Sequence, residues 1–170
     1  FGRYNPSGKL PVTFYHSDAD LPPIKDYSMS NRTYRYFGGD VLYPFGYGLS
    51  YTSFKYKKLE CPSEVQIGDT LNVKVEVSNT GKFAGEEVVQ LYIHDLYSVV
   101  TRPIKELRDF RRVALAPGER KRVEFTLPVE RLGALDENMR FTVEAGDYEI
   151  MAGSSSADRN LLKTTITVKK

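Results

Sequence analysis

The sequence predicts an all-β protein, an antiparallel sandwich of about seven short strands preceded by an extended N-terminal segment. Apolar and polar residues alternate in several short runs, turn residues separate those runs, and no long helical period competes. Residues 1–50 are rich in Gly, Pro, Tyr and Asn and hold one strand-like run, Lys9 to Phe14, with Pro22-Pro23 and Gly38-Gly39 breaking up the rest. A segment of this kind cannot build a core of its own and must lean on another surface. From Phe54 the character changes, beginning with a strand-like run that ends before Cys61. Leu71, Val73, Val75 and Val77 alternate with Asn72, Lys74, Glu76 and Ser78, the period of a half-buried strand. Val89, Leu91 and Ile93 repeat the pattern, as do Val123, Phe125 and Leu127, then Leu162, Thr164, Ile166 and Val168. Gly68-Asp69, Thr80-Gly81, Pro117-Gly118, Gly146-Asp147 and Ser154-Ser155-Ser156 supply the turns. Between Ile104 and Leu115 the alternation slips around Arg108-Asp109, which predicts a bulge or a change of strand partner. Val129 to Leu132 fits a single helical turn.

Bulk properties exclude several functions. The chain has 170 residues, 41% of them hydrophobic, enough for one core and an appendage. Its 24 basic and 22 acidic residues leave a formal charge of +2, too little to steer a polyanion, and no recognition helix or basic-aromatic platform points to nucleic acid. No apolar stretch approaches membrane-spanning length, and the first residues do not read as a signal peptide. The single cysteine, Cys61, has no internal disulfide partner and is expected to be a buried or partly buried inert thiol.

Candidate chemistry is sparse. Glu86 and Glu87 are adjacent on a strand and so point to opposite faces. Asp18 and Asp20 lie in an extended stretch where solvation is the expected state. His16 and His94 lack the spacing of a metal site or a nucleophilic triad, and Ser154-Ser155-Ser156 lacks a nucleophile elbow. No catalytic residue, metal site or cofactor is assigned. The basic set Arg102, Lys105, Arg108, Arg111, Arg112, Arg120, Lys121 and Arg122 has acidic neighbours in Glu106, Asp109, Glu119 and Glu124. It is either a solvated, salt-bridged sheet face or a docking surface.

The most distinctive stretch is Pro-Phe-Gly-Tyr-Gly-Leu-Ser-Tyr-Thr at 44–52. Its glycines permit unusual backbone angles, and its aromatics must dock against a surface or line a recess. With Asn5 to Phe14 and Asn-Arg-Thr-Tyr-Arg-Tyr at 31–36, it resembles the C-terminal portion of glycoside hydrolase family 3, which contains β-glucosidases and β-xylosidases. The resemblance continues through Asn79 to Gly81, Ala84 to Ile93, Thr101 to Leu107, Leu115 to Glu119 and Gly146 to Ser155, and so spans essentially the whole chain. It implies residues 1–16 as the closing strand of an α/β sandwich domain, 17–53 as an interdomain connector, and 54–170 as a fibronectin type III-like domain of the immunoglobulin class. It also implies a chain starting partway through a domain, as a fragment, a processed subunit or a truncated product. Family members use a barrel aspartate as nucleophile and commonly a glutamate of the middle domain as acid/base; both lie upstream of the matched region. The element at 31–36 leans toward the β-xylosidase-like branch.

Asn31, Arg32, Tyr34, Arg35, Tyr43, Phe45, Tyr47 and Tyr51 are the candidate substrate-binding residues. Aromatic faces suit sugar rings, and Arg and Asn suit hydroxyl groups. In the complete enzyme they either shape the outer part of a sugar site or brace the domain junction. The implied partners are the upstream catalytic domains of the same enzyme, with carbohydrate as a further ligand and a homodimer through the N-terminal strand as another arrangement. The alternative reading is a free-standing carbohydrate-binding or cell-surface adhesion module, with Tyr92, Tyr97 and Tyr148 as its exposed aromatics. Family members are often secreted or periplasmic; Asn31-Arg32-Thr33 is a glycosylation sequon, meaningful in a eukaryotic secreted product.

Overall fold

The computed structural model describes residues 2–98 and 100–170. Phe1, the first residue of the segment expected to be a closing strand, lies outside the described residues. Strands β1 (Phe54–Glu60), β3 (Thr70–Asn79) and β6 (Arg120–Pro128) form a three-stranded sheet in the order β1-β3-β6. Strands β2 (Glu64–Gln66), β4 (Gly85–Asp95), β5 (Glu106–Leu115), β9 (Gly146–Gly153) and β10 (Leu161–Lys169) form a five-stranded sheet in the order β2-β10-β9-β4-β5. A small hairpin, β7 (Ala134–Leu135) with β8 (Phe141–Thr142), stands apart. The fold is an all-β, fibronectin type III-like sandwich. Among the described residues its strand pairings are antiparallel except one, since β2 runs parallel to β10 with Glu64 opposite Thr167 and Gln66 opposite Lys169.

The alternating runs become the inner faces. Val73, Val75 and Val77 of β3 and Val123, Phe125 and Leu127 of β6 join Val89, Leu91 and Ile93 of β4 and Ile150 and Ala152 of β9 in one buried core. Each such side chain contributes about 1.5–3 kcal/mol on burial. Val129–Leu132 is a 3₁₀ turn, as its sequence suggests. In β5 the register moves between Leu91 opposite Asp109 and Tyr92 opposite Leu107, so Arg108 is the extra residue of a bulge. The Asp109 carboxylate occupies the kink, accepting from Phe110 N at 2.7 Å and Arg111 Nη1 at 2.7 Å.

Two expectations change. Lys9 to Phe14 is not a regular strand, because Pro11 has no N–H to give a ladder. The chain is instead pinned at two points to the aromatic stretch. Leu10 N donates to Tyr47 O and Gly46 N to Leu10 O, while Phe14 and Tyr43 exchange both backbone bonds. The exposed row of Tyr92, Tyr97 and Tyr148 does not exist: Tyr92 and Tyr148 are fully buried and Tyr97 alone is exposed. Because β9 begins at Gly146, Tyr148 shares the inward parity of Ile150 and Ala152.

Residues 5–9, 34–35 and 45–52 hold the N-terminal segment against the sandwich, and their clearest effect is on β4. Its inward residues Val89, Leu91 and Ile93 are buried, yet its outward Gln90 and Tyr92 are buried too. The N-terminal segment forms a third layer over the outer side of the five-stranded sheet.

Candidate functional site

The connector is built on a few fixed points. Gln90 Nε2, projecting outward from β4, donates to Gly46 O at 3.1 Å and Ser154 O at 2.7 Å, and its Oε1 accepts from Tyr92 OH. Gly46 has φ +79°, and a Cβ there would stand 2.0 Å from Gln90 Oε1. The glycine is therefore required both by the backbone angle and by the buried amide beneath it. Phe45 O accepts from Ser156 N at 2.9 Å, tying the same turn to the end of β9. At the start of the segment, Asn5 Nδ2 donates to Ala84 O at 2.9 Å, while its Oδ1 accepts from Ser50 Oγ and Tyr51 N at 2.9 Å each.

The eight candidate residues separate into two groups. Tyr34 stacks on Phe45 with ring centroids 4.2 Å apart, meets Tyr92 edge-on at 5.9 Å, and accepts from Leu107 N through its hydroxyl at 3.1 Å. Arg35 forms an ion pair with Glu106 at the start of β5, and its carbonyl accepts from Ile104 N at 2.7 Å. Arg32 turns back on its own loop, donating to the carbonyls of Asp26 at 2.6 Å, Ser28 at 3.1 Å and Pro23 at 3.4 Å. Arg32, Tyr34, Arg35 and Phe45 are thus engaged in holding the connector together and onto the sandwich. Asn31 and Tyr51 are exposed, while Tyr43 and Tyr47 form a tilted pair at 5.1 Å beside Leu10 and Leu49. Tyr43 also meets Phe14 edge-on at 6.2 Å.

The carboxylates are structural in their surroundings. Glu86 and Glu87 line one recess with Ser7 and Lys9 and engage different partners. Glu86 accepts from Arg112 at 2.9 Å, and that hydrogen bond holds its carboxyl below the usual range. Glu87 is buried, accepts from Lys9 Nζ at 3.0 Å and Tyr56 OH at 2.8 Å, and is pushed up by burial against the opposing pull of Lys9. Burial also raises the Cys61 thiol, in keeping with an inert role. His94 is pushed down chiefly by burial. Among the described residues no cluster of three or more His, Cys, Asp or Glu side chains is arranged to hold a metal ion.

Most of the basic set is salt-bridged, including Arg111–Asp109, Arg112–Glu86, Lys121–Glu119 and Arg122–Glu60. Three members are largely buried: Lys105, paired with Asp158 at 3.0 Å, and two arginines. Arg102 is paired with Asp95 at 3.0 Å with both side chains under 10% exposed. Arg108 pairs with Glu106 at 2.6 Å and is pushed down to about 10 by burial, with Arg102, Arg35 and Arg131 adding like charge. Sequence reasoning missed Gln90, Glu87 and Asn5 as fixing points, since each acts on a residue at least 44 positions away.

Fold and site together define a fibronectin-type sandwich bearing a docked N-terminal segment. Residues 1–51 match the glycosyl hydrolase family 3 C-terminal domain, and residues 87–156 match the fibronectin type III-like domain. The chain belongs to glycoside hydrolase family 3, of which it carries the C-terminal part. It is 45% identical to a xylan 1,4-β-xylosidase of Xylanibacter ruminicola, across 99% of this chain and 19% of that protein. It is 38% identical to a periplasmic β-glucosidase of Salmonella typhimurium, across 92% of this chain and 22% of that one. A solved structure of β-glucosidase 3B from Thermotoga neapolitana in complex with α-D-glucose superposes with a TM-score of 0.86 at 38% identity, covering 99% of this chain and 25% of that one. The chain therefore spans about a fifth to a quarter of the length of the relatives it matches.

Proposed function

We propose that this chain is the non-catalytic support of a family 3 β-glycosidase acting on β-glucosides or β-xylosides. In this reading residues 1–16 close an α/β sandwich domain, 17–53 connect the domains, and 54–170 form the stabilising module. The upstream catalytic domains of the same enzyme are its partner. The observation that carries the proposal is the two-sidedness of the N-terminal layer. One side is sealed onto β4 through Gly46, Phe45 and Tyr34, while Val12, Phe14, Leu42, Tyr43 and Leu49 remain 41–70% exposed. So much apolar surface on an ordered segment suits a permanent domain interface. Asn31, Tyr43, Tyr47 and Tyr51 are the residues left to shape the outer part of a sugar site, because the other four candidates are engaged in bracing.

The test is release of nitrophenol from aryl β-glucoside and β-xyloside by the purified chain, with and without the upstream portion of its enzyme. The expected result is no turnover alone and turnover on adding the upstream portion. Turnover by the chain alone, surviving rigorous purification, would overturn the proposal. In the reconstituted enzyme Tyr47→Ala is expected to raise KM at unchanged Tm, and Tyr34→Ala to lower Tm at unchanged KM.

A further inference from the structure

On one flank of the sandwich two strand edges face each other with no strand between them. β1 is the outer strand of its sheet, and β2 covers β10 only from Thr167 onward, so the edge of β10 from Leu161 to Ile166 lies open. A recess of about 220 Å³ occupies the gap, bounded by residues 54–56 on one side and by Ser154 and residues 159–162 on the other. None of the eight candidate residues lines it. Its lining carries two cations, Lys55 and Arg159, and no carboxylate. Both side chains are exposed, and neither forms an ion pair with another described residue. Asp40 feels the Arg159 charge only as the last of several influences, its hydrogen bond being to His16.

The positive excess continues onto the adjoining face of the three-stranded sheet. Ser78 is flanked in register by Lys55 and Arg120, and Lys57 follows two positions along β1. The anions of that face are already matched: Glu76 with Lys58, Glu124 with Lys74 and Glu60 with Arg122. Lys55, Lys57 and Arg120 are left uncompensated, and a concave spot beside charges of one sign gathers counter-ions. The walls then narrow the ligand. Phe54, Leu161 and Leu162 give the recess apolar surface, and the Ser154 hydroxyl beside them makes no hydrogen bond to another described residue. A bare inorganic ion would leave the apolar walls uncovered, and a neutral molecule would leave both cations unused. A guanidinium accepts a carboxylate through two parallel bonds, which an ammonium supports as a point charge. The volume falls below the roughly 300 Å³ at which clefts for drug-sized ligands begin, so the molecule is small.

We propose that this flank recess binds a small organic carboxylate, with the carboxylate between Arg159 and Lys55 and the apolar body against Leu161 and Leu162. The site goes beyond the supporting role, and its failure would leave that role intact. The test is a titration of the isotope-labelled 170-residue chain, following backbone amides. Benzoate is the probe, benzamide its neutral isostere, and inorganic phosphate an anion with no apolar part. Saturable shifts confined to residues 54–56 and 154–162 are expected with benzoate, in the millimolar range, with phosphate weaker and benzamide silent. Raising salt from about 0.05 M to about 0.5 M should weaken benzoate severalfold, because the cations are exposed to screening. Arg159→Gln should weaken it roughly tenfold and Lys55→Gln roughly threefold. Both substitutions are expected to keep the parent Tm, since each removes an exposed side chain without an ion pair. Benzamide binding as tightly as benzoate, phosphate binding at least as tightly, shifts located elsewhere, or benzoate affinity unchanged in both variants would each overturn the proposal.

Discussion

Gly46 and Gly38 sit eight positions apart in the same connector yet answer to opposite constraints. At Gly46 the positive φ and the Gln90 amide 2.0 Å from a would-be Cβ act together, whereas nothing stands within 4 Å of a Cβ at Gly38. Gly46→Ala is therefore expected to destabilise the chain by about 2–3 kcal/mol. Gly38→Ala should be neutral or stabilising by about 0.5 kcal/mol, through the unfolded state alone. Urea unfolding of the two variants beside the parent decides it; equal midpoints for both would show that the Gly46–Gln90 contact does not hold the connector. The aromatic-glycine composition of 44–52 already marked a docked loop. It could not say which glycine bears the load, because the partner amide lies 44 residues further along.

Among elements, β4 is where sequence and structure diverge most usefully. Its inward parity was legible, as in β3, β6 and β10, because one buried face imposes a period of two. The bulge in β5 was legible as well, as a break in that period at Arg108. The burial of Gln90 and Tyr92 on the outward face was not, since it depends on a layer contributed by residues 34–47. The parallel β2–β10 pair was also hidden, three residues being too few for any pattern. On the same outward parity lies His94, whose folded pKa is depressed first by burial, with Lys163 and Lys105 acting the same way and Glu149 and Asp95 opposing. The unfolded chain thus holds this proton more tightly than the folded one. The His94 contribution is complete above an unfolded value of about 6.5 and is lost as pH falls from there to the folded value. Unfolding free energies at pH 7.5 and 5.5 should fall less in His94→Gln than in the parent. Equal losses would remove His94 from the pH dependence. Glu87, raised by burial, carries the opposite sign and stays constant in this comparison.

At the scale of the molecule, the N-terminal layer completes the burial of the sandwich's outer face. Tyr92 and Met151 are fully buried, and Met151 lies outside the inter-sheet core. A chain beginning at Ser53 would uncover Tyr92, and burial of such a side chain contributes about 1.5–3 kcal/mol. Such a truncation is expected to lower Tm and to self-associate in sedimentation velocity, whereas an unchanged Tm and a monomeric boundary would mean the layer is dispensable. The parallel pairing of β2 with β10 bears on a different property. The three residue pairs that join them are extended by bonds from Thr167 N to Ser63 O and from Ile67 N to Lys169 O. A tension pulling the stretch before β2 away from the end of β10 would load all of those bonds simultaneously, in shear, instead of opening them one after another. Strands clamped in this way resist sliding past one another, so this edge of the five-stranded sheet is mechanically stiff along the strand direction.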